Sequence, residues 1–272
     1  MKEFFSILNM HFQKGRYSLT AINQSSPRDW QDLQKQVKKI FEECGLKAEI
    51  VKEIRTVRGS VKVDVYAIDS SNQPSITYLC ECKYWKSSVP KSVVHAFRTV
   101  VGDYGANWGF IISSKGFQSG AFEAASKSNI QLLTWSQFQD LFVERWIEKY
   151  MIPQIQKETT ALIEYTEPIN SRIFRKADQL DDKSLQCFHK LRNNYADLAF
   201  LALLINTSEF RLFKFRSANL PLRKTLSKNE LSKTSIPSEI LDATCLREVT
   251  DCIIKHTRKG VAAFDQLFGG RA

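Results

Sequence analysis

A chain of 272 residues that is 43% hydrophobic and 25% charged carries enough apolar material for one large core or two modest ones, which excludes disorder as its general state. No segment approaches the ~20 apolar residues of a membrane-spanning helix; the most apolar run, "LAFLALLI" from Leu198 to Ile205, is too short, and "MKEFFSILNMHFQKGRY" at the amino terminus lacks the features of a secretion signal. The formal net charge of +10 divides evenly, +5 up to Tyr150 and +5 beyond it, and so favours a polyanionic partner without assigning it to one tail.

Six cysteines, at 44, 80, 82, 187, 245 and 252, form no C-x-x-C pair. Reduced thiols in a cytoplasmic protein are the expectation, and a zinc site is not.

Residues 1–25 read as an amino-terminal extension. In "SPRDWQDLQKQVKKIFEECG", Ser26 can cap a helix, Pro27 suits its first position and Asp29 complements the exposed amides. Trp30, Leu33, Val37, Ile40, Phe41 and Cys44 recur at helical spacing and Gly45 supplies the stop. The runs "KAEIVKEIRTV", "VKVDVYAID" and "ITYLCECKYW" then predict three strands, joined by turns short enough for antiparallel neighbours. A helix is expected after Pro90, a buried strand at "NWGFIIS", a helix at "GFQSGAFEAASKS", a strand at "IQLLT" and a helix at "WSQFQDLFVERWIEKY". That order predicts an α/β fold with a mixed sheet flanked by helices over residues 26–150.

Beyond Ile152 and Pro153 the pattern loosens into a mainly helical region, 151–272, of unassigned role. Helices are expected at "DDKSLQCFHKLRNNYADLAFLALLI" and "CLREVTDCIIKHTRKG", the latter ending in Lys255, His256, Arg258 and Lys259, where cations suit a helix C-terminus. The segment 211–233 between them holds seven basic residues against one acid, readable equally as a nucleic-acid surface or a solvated hairpin.

Chemistry concentrates on the second and third strands. Alternation puts Leu79, Glu81 and Lys83 on one face, with Tyr78, Cys80 and Cys82 on the other as packing residues. On the preceding strand it groups Val61, Val63, Val65 and Ala67 against Lys62, Asp64 and Tyr66. Pairing these strands can bring Asp64 beside Glu81 and Lys83, and two adjacent carboxylates call for a cation between them. Hard oxygen ligands suit Mg²⁺, and a nearby lysine can orient a water or offset charge on a phosphate. The plainer reading is an exposed Glu81–Lys83 pair with a solvated Asp64. The apolar flanks argue for a central strand, where unpaired charge is costly.

These stretches, with "VVHAFRTVVGDYGANWGFIISSKGFQSGAFEAA", resemble the PD-(D/E)xK nuclease superfamily, and within it the Mrr-like restriction endonuclease domain, over about Pro27 to Leu141. The resemblance implies an α-β-β-β-α-β core. It also implies that Asp64, Glu81 and the backbone carbonyl of Cys82 bind Mg²⁺ or Mn²⁺, and that Lys83 serves the nucleophilic water. One position departs from the family: Gln34 stands where many relatives have a glutamate, and an amide adds no charge and cannot act as a base. Weaker metal binding or loss of a second metal is the expected effect, since Glu42 would reach the site only if the helix were rotated.

His95 falls near a polar accessory position of the family, and Lys91 and Arg98 share its helix stripe, a DNA-contacting edge or a solvated face. Lys86 and Lys91 can neutralise phosphates of double-stranded DNA. Trp85 reads first as a core residue and second as a base-stacking one. The function so implied is a divalent-metal-dependent DNA endonuclease of restriction or defence type. The alternative is a catalytically inactive or partner-activated DNA-binding module, with residues 151–272 as the docking element for a second copy or another protein.

Overall fold

In the computed structural model, which describes residues 21–205, 220–224 and 226–269, the first helix starts later than Ser26 and Pro27 suggest. Helix α1 spans Trp30–Glu43 and is capped by Asp29, whose carboxylate accepts from the Asp32 amide at 2.7 Å. A carboxylate acceptor satisfies an end amide as well as a serine would, so the later cap is chemically equivalent. Trp30 therefore lies on the first turn, 52% exposed, and is not part of the core face. That face is Leu33, Gln34, Val37, Ile40 and Phe41, four apolar residues and one amide. Gly45, at φ +83°, closes the helix in the left-handed conformation that glycine adopts without strain.

Five strands follow in the expected places: β1 Lys47–Thr56, β2 Gly59–Asp69, β3 Ile76–Lys83, β4 Trp108–Ser113 and β5 Ile130–Thr134. They lie side by side in chain order, antiparallel through β1–β2–β3 and parallel through β3–β4–β5. Helix α2, Lys91–Tyr104, crosses from β3 to β4, and α3, Ser119–Ala125, from β4 to β5, because parallel neighbours need a crossover. Helix α4, Trp135–Trp146, starts at a capping box between Thr134 and Gln137.

Each sheet face has its own core. On one, Leu79, Tyr66 and Ile111 pack against Val94, Phe97 and Val101 of α2 and Ala121 and Ala124 of α3. Gly109 makes that approach possible, since a Cβ there would fall 2.5 Å from Ile130 Cδ1 and 2.7 Å from Val101 Cγ2. On the other, Phe41 of α1 and Phe138 and Phe142 of α4 surround Tyr78 and Phe110. At its edge, buried Asp69 is held by Arg145, by Ser71 through both amide and hydroxyl, and by Asn72. The Arg145 guanidinium above all keeps the Asp69 carboxyl well below the ordinary aspartate range.

One alternation fails. Val63 joins Tyr66 and Leu79 in the α2-side core, with Val61 packed against it, although strict period two would put both valines on the face opposite Tyr66. The cause lies in the β1–β2 ladder, which pairs Ile50 with Val65 and Lys52 with Val63 but skips Val51 and Asp64. Val51 has φ +52°, a strained conformation for a β-branched residue.

The residues cluster in two units, Ser25–Lys149 and, separately, Tyr150 onward with residues 21–24, and a π-helical turn, Ile147–Met151, lies at the boundary. The second unit is helical. Helix α5, Ile152–Thr166, lies where the sequence pattern loosened: Pro153 in the first turn is no helix breaker, and Ile152, Ile155, Thr159, Leu162 and Tyr165 line its buried side. Next come α6, Ser171–Ala177, and α7, Asp182–Ile205. A 3₁₀ turn, Leu222–Lys224, precedes α8, Lys228–Lys233, α9, Ser238–Asp242, and α10, Leu246–Leu267. Residues 21–23 lie along the start of α10, where Ala21 and Ile22 carbonyls accept from Leu246 and Arg247 amides.

Helix α10 does not end at "KHTRKG" as its composition suggests. Lys255 and His256 approach Glu239, Arg258 pairs with Glu158, and Gly260 sits inside the helix against Tyr195 and Leu162. Of the basic segment 211–233, residues 211–219 and 225 lie outside the described residues. The remainder is the 3₁₀ turn and α8, not a hairpin, and Arg223 is paired with Asp242.

Candidate active site

Strands β2 and β3 are paired from Asp69–Ile76 as far as Val65–Cys80, and there the register ends. Continued by one step it would pair Asp64 with Glu81. Instead the Asp64 side chain takes the place of the missing backbone partner, its Oδ2 accepting from the Cys82 amide at 2.7 Å. The skipped β1 position opposite Asp64 leaves the residue without a ladder partner on its other side too. Asp64 thus sits at a local opening of the sheet, which is where strained backbone such as Val51 tends to accompany function.

The second oxygen of Asp64 accepts from Gln34 Nε2 at 2.7 Å. Gln34 is 3% exposed and is the amide on the otherwise apolar face of α1, so the helix packs with that side chain aimed at the strand opening. A carboxylate can only accept, so it is the NH₂ end of the amide that faces it. Glu42 does not take this place; it pairs with Lys38 on the exposed side.

Glu81 and Lys83 lie on the same side of β3, joined at 2.5 Å between Oε1 and Nζ, both largely shielded from solvent. Burial pushes the Glu81 carboxyl above the ordinary glutamate range, and the Asp64 carboxylate pushes it further; the Lys83 ammonium opposes both and does not offset them. The two acids are therefore close enough to repel, in a place where water screens them poorly. A hard divalent cation between them would relieve that repulsion. The Cys82 carbonyl adds a third oxygen on the same side, because in an extended strand it points the way its own amide does, and that amide faces Asp64. The donor set fits a hard cation that keeps several waters. Among the described residues no group of three or more His, Cys, Asp or Glu side chains could hold a metal.

Cys80 and Cys82 are buried on the opposite face, where burial raises both thiols, in keeping with a packing role. The remaining candidates follow β3 in the chain, Lys86 in the connecting segment and Lys91, His95 and Arg98 on α2. Lys86 and His95 are exposed, and among the described residues no hydrogen bond or ion pair joins them to Asp64, Glu81 or Lys83. Lys91, at the first position of α2, runs its stem toward Gly120. Arg98 donates to the Ala124 carbonyl at 2.8 Å, so its guanidinium caps the last turn of α3 while the residue stays exposed.

Trp85, whose hydrophobicity suggests a core residue, is instead 40% exposed, with the Lys83 ammonium 5.1 Å from its ring centroid. Ser114 carries no signal in the sequence. Its hydroxyl donates to the Trp85 carbonyl at 3.0 Å and its amide to the Lys83 carbonyl at 3.1 Å, which fixes the chain as it leaves β3.

Residues 27–142 match the family model Mrr_cat, described as Restriction endonuclease. No curated protein matches the chain. A solved structure, that of a protein of unknown function, AF1548, aligns over 84% of this chain and 96% of its own at 14% identity, with a TM-score of 0.36, too distant to carry an argument.

Proposed function

We propose, from the match of residues 27–142 to the restriction endonuclease family model, that Asp64, Glu81 and Lys83 form the active site of a divalent-metal-dependent DNA endonuclease of restriction or defence type. The observation that carries the reading is the meeting of two carboxylates and an ammonium where the β2–β3 ladder opens. Asp64, Glu81 and the Cys82 carbonyl would hold Mg²⁺ or Mn²⁺, which supplies Lewis-acid polarisation of a phosphodiester. Gln34 orients Asp64 by occupying one of its oxygens. Lys83 sits where it can offset charge developing on the phosphate or align a water against it, and its contact with Glu81 fixes the ammonium before substrate arrives. Lys86 and Lys91, both exposed, would neutralise flanking phosphates of double-stranded DNA, and the exposed His95 would act as a polar accessory residue.

The test is incubation of the pure protein with plasmid DNA and Mg²⁺ or Mn²⁺ over a range of salt. Lys83→Ala should abolish cleavage while sparing the fold and DNA binding; retained cleavage would remove Lys83 from the mechanism. A second reading, a binding module that keeps the nuclease fold and acts alone or when engaged by a partner through residues 151–272, is favoured by the neutral Gln34 beside Asp64. DNA that is shifted but never cut, with either metal, decides for it.

A further inference from the structure

We propose that Trp85 is a stacking platform for one unpaired nucleobase of the substrate, so that the preferred DNA has a nucleotide out of its base stack beside the cleaved phosphate: a gap, a flap or an extruded base. The inference rests on the nuclease reading for the identity of the ligand, and on separate observations for the residue.

A large aromatic side chain that leaves 40% of its surface exposed forgoes burial that it would otherwise gain. Trp85 does so two residues after Lys83, in the segment from Tyr84 to Ser87 whose four residues are all exposed. The segment is nonetheless held at both ends. Ser114 holds the carbonyls of Lys83 and Trp85, and beyond it the Val89 amide donates to the Gly116 carbonyl while the Val89 carbonyl accepts from Gln118. An exposed indole on a pinned backbone loses little further freedom when a ligand covers it, which favours binding.

Lys83 ties the ring to the reacting centre. Its ammonium contacts Glu81 at 2.5 Å and lies 5.1 Å from the indole centroid, so ring and carboxylate share one cation. A nucleotide whose phosphate reached Lys83 would present its base within reach of the indole. In an intact duplex that base is covered by its neighbours and its flat face is not available. Stacking on an aromatic ring is tolerant of base identity, since every base has a π-face. The expected selectivity is therefore for local strand structure and not for sequence. Lys86, exposed one residue on, adds a charge for the adjoining backbone.

The test uses the full chain and binding in Ca²⁺ or EDTA, so that it does not depend on turnover. A gapped oligonucleotide duplex and its fully paired counterpart are titrated over a range of salt. For Trp85→Leu, affinity for the gapped duplex should fall about 5- to 150-fold, the range that base–aromatic stacking supplies, with the paired duplex unaffected and the slope of log K against log salt unchanged. Trp85→Phe should restore most of the loss. Lys86→Ala should instead lower the slope on both duplexes. In the unsubstituted protein, 5-iodouracil in the gap should cross-link to Trp85 on irradiation. Equal binding of both duplexes, an equal loss on both in Trp85→Leu, or cross-linking mapped to another residue would each overturn the proposal. Cleavage of the same duplexes in Mg²⁺ is scored separately: selective binding without cleavage would sink the nuclease reading and leave the stacking platform standing.

Discussion

Gln34→Glu turns the donor that faces Asp64 into another acceptor. The hydrogen bond removed is a 2.7 Å contact to a carboxylate from a residue only 3% exposed, and bonds to charged groups contribute about 1.5–3 kcal/mol. To this is added a like-charge contact, which the introduced carboxyl can relieve only by keeping a proton or by sharing a cation. In EDTA at neutral pH the variant should therefore be about 1.5–3 kcal/mol less stable than the parent, or more if the repulsion is not relieved. A divalent cation about a hundredfold above its dissociation constant would stabilise whichever protein binds it by ~2.7 kcal/mol. The variant, offering three carboxylates where the parent has two, should reach that condition at lower Mg²⁺ or Mn²⁺. Urea unfolding followed by far-ultraviolet circular dichroism, in EDTA and across a metal series, reads both effects. The stability gap should narrow or reverse as metal rises. Equal stability in EDTA would refute the weight placed on the Gln34–Asp64 bond, and a gap indifferent to metal would refute a cation site bounded by Asp64, Glu81 and position 34.

Two further outcomes follow, one for each unit. The Glu81 carboxyl is raised by burial and by Asp64, so the folded state holds its proton more tightly than the unfolded state. The stabilisation this gives is complete below the ordinary glutamate range and is lost as pH rises through the raised value. Glu81→Gln should consequently melt at a higher temperature than the parent at neutral pH without metal, with the advantage vanishing in acid; no difference at either pH would argue against a desolvated Glu81. In the helical unit, a methyl group at position 260 would lie 2.8 Å from Tyr195 Cε1 and 3.0 Å from Leu162 Cδ1. Overpacking of that kind costs about 1–3 kcal/mol against a helix-propensity gain near 1 kcal/mol, so Gly260→Ala should lower stability by up to ~2 kcal/mol. Calorimetry showing the variant more stable than the parent would mean that Tyr195 yields without strain.

Much of the sheet-bearing unit was legible in the chain because its signals are local. The three β-rich runs, the helix after Pro90 and the alternation that separates Cys80 and Cys82 from Glu81 and Lys83 all depend on neighbours within a few positions. Side-chain period and turn composition alone determine them. The same locality groups Asp64, Glu81 and Lys83, since one strand-turn-strand unit separates them.

What the chain by itself left open concerns contacts between residues far apart in sequence. Whether Gln34 faced the site depended on how α1 rolls against the sheet, and only the packed structure sets its amide on Asp64, thirty residues away. The β1–β2 ladder skips one pair, and Val51 takes up the strain. Strict alternation contains no such interruption, which is why Val63 changed faces. Trp85 reads as core by hydrophobicity, yet its exposure is decided by where β3 ends and by Ser114 just past the end of β4. Local propensity chose the elements and offered the charged residues; the way helix and strands close on one another decided which of those residues share a site, because burial, register and an amide's partner are properties of the packed sheet and of no short stretch within it.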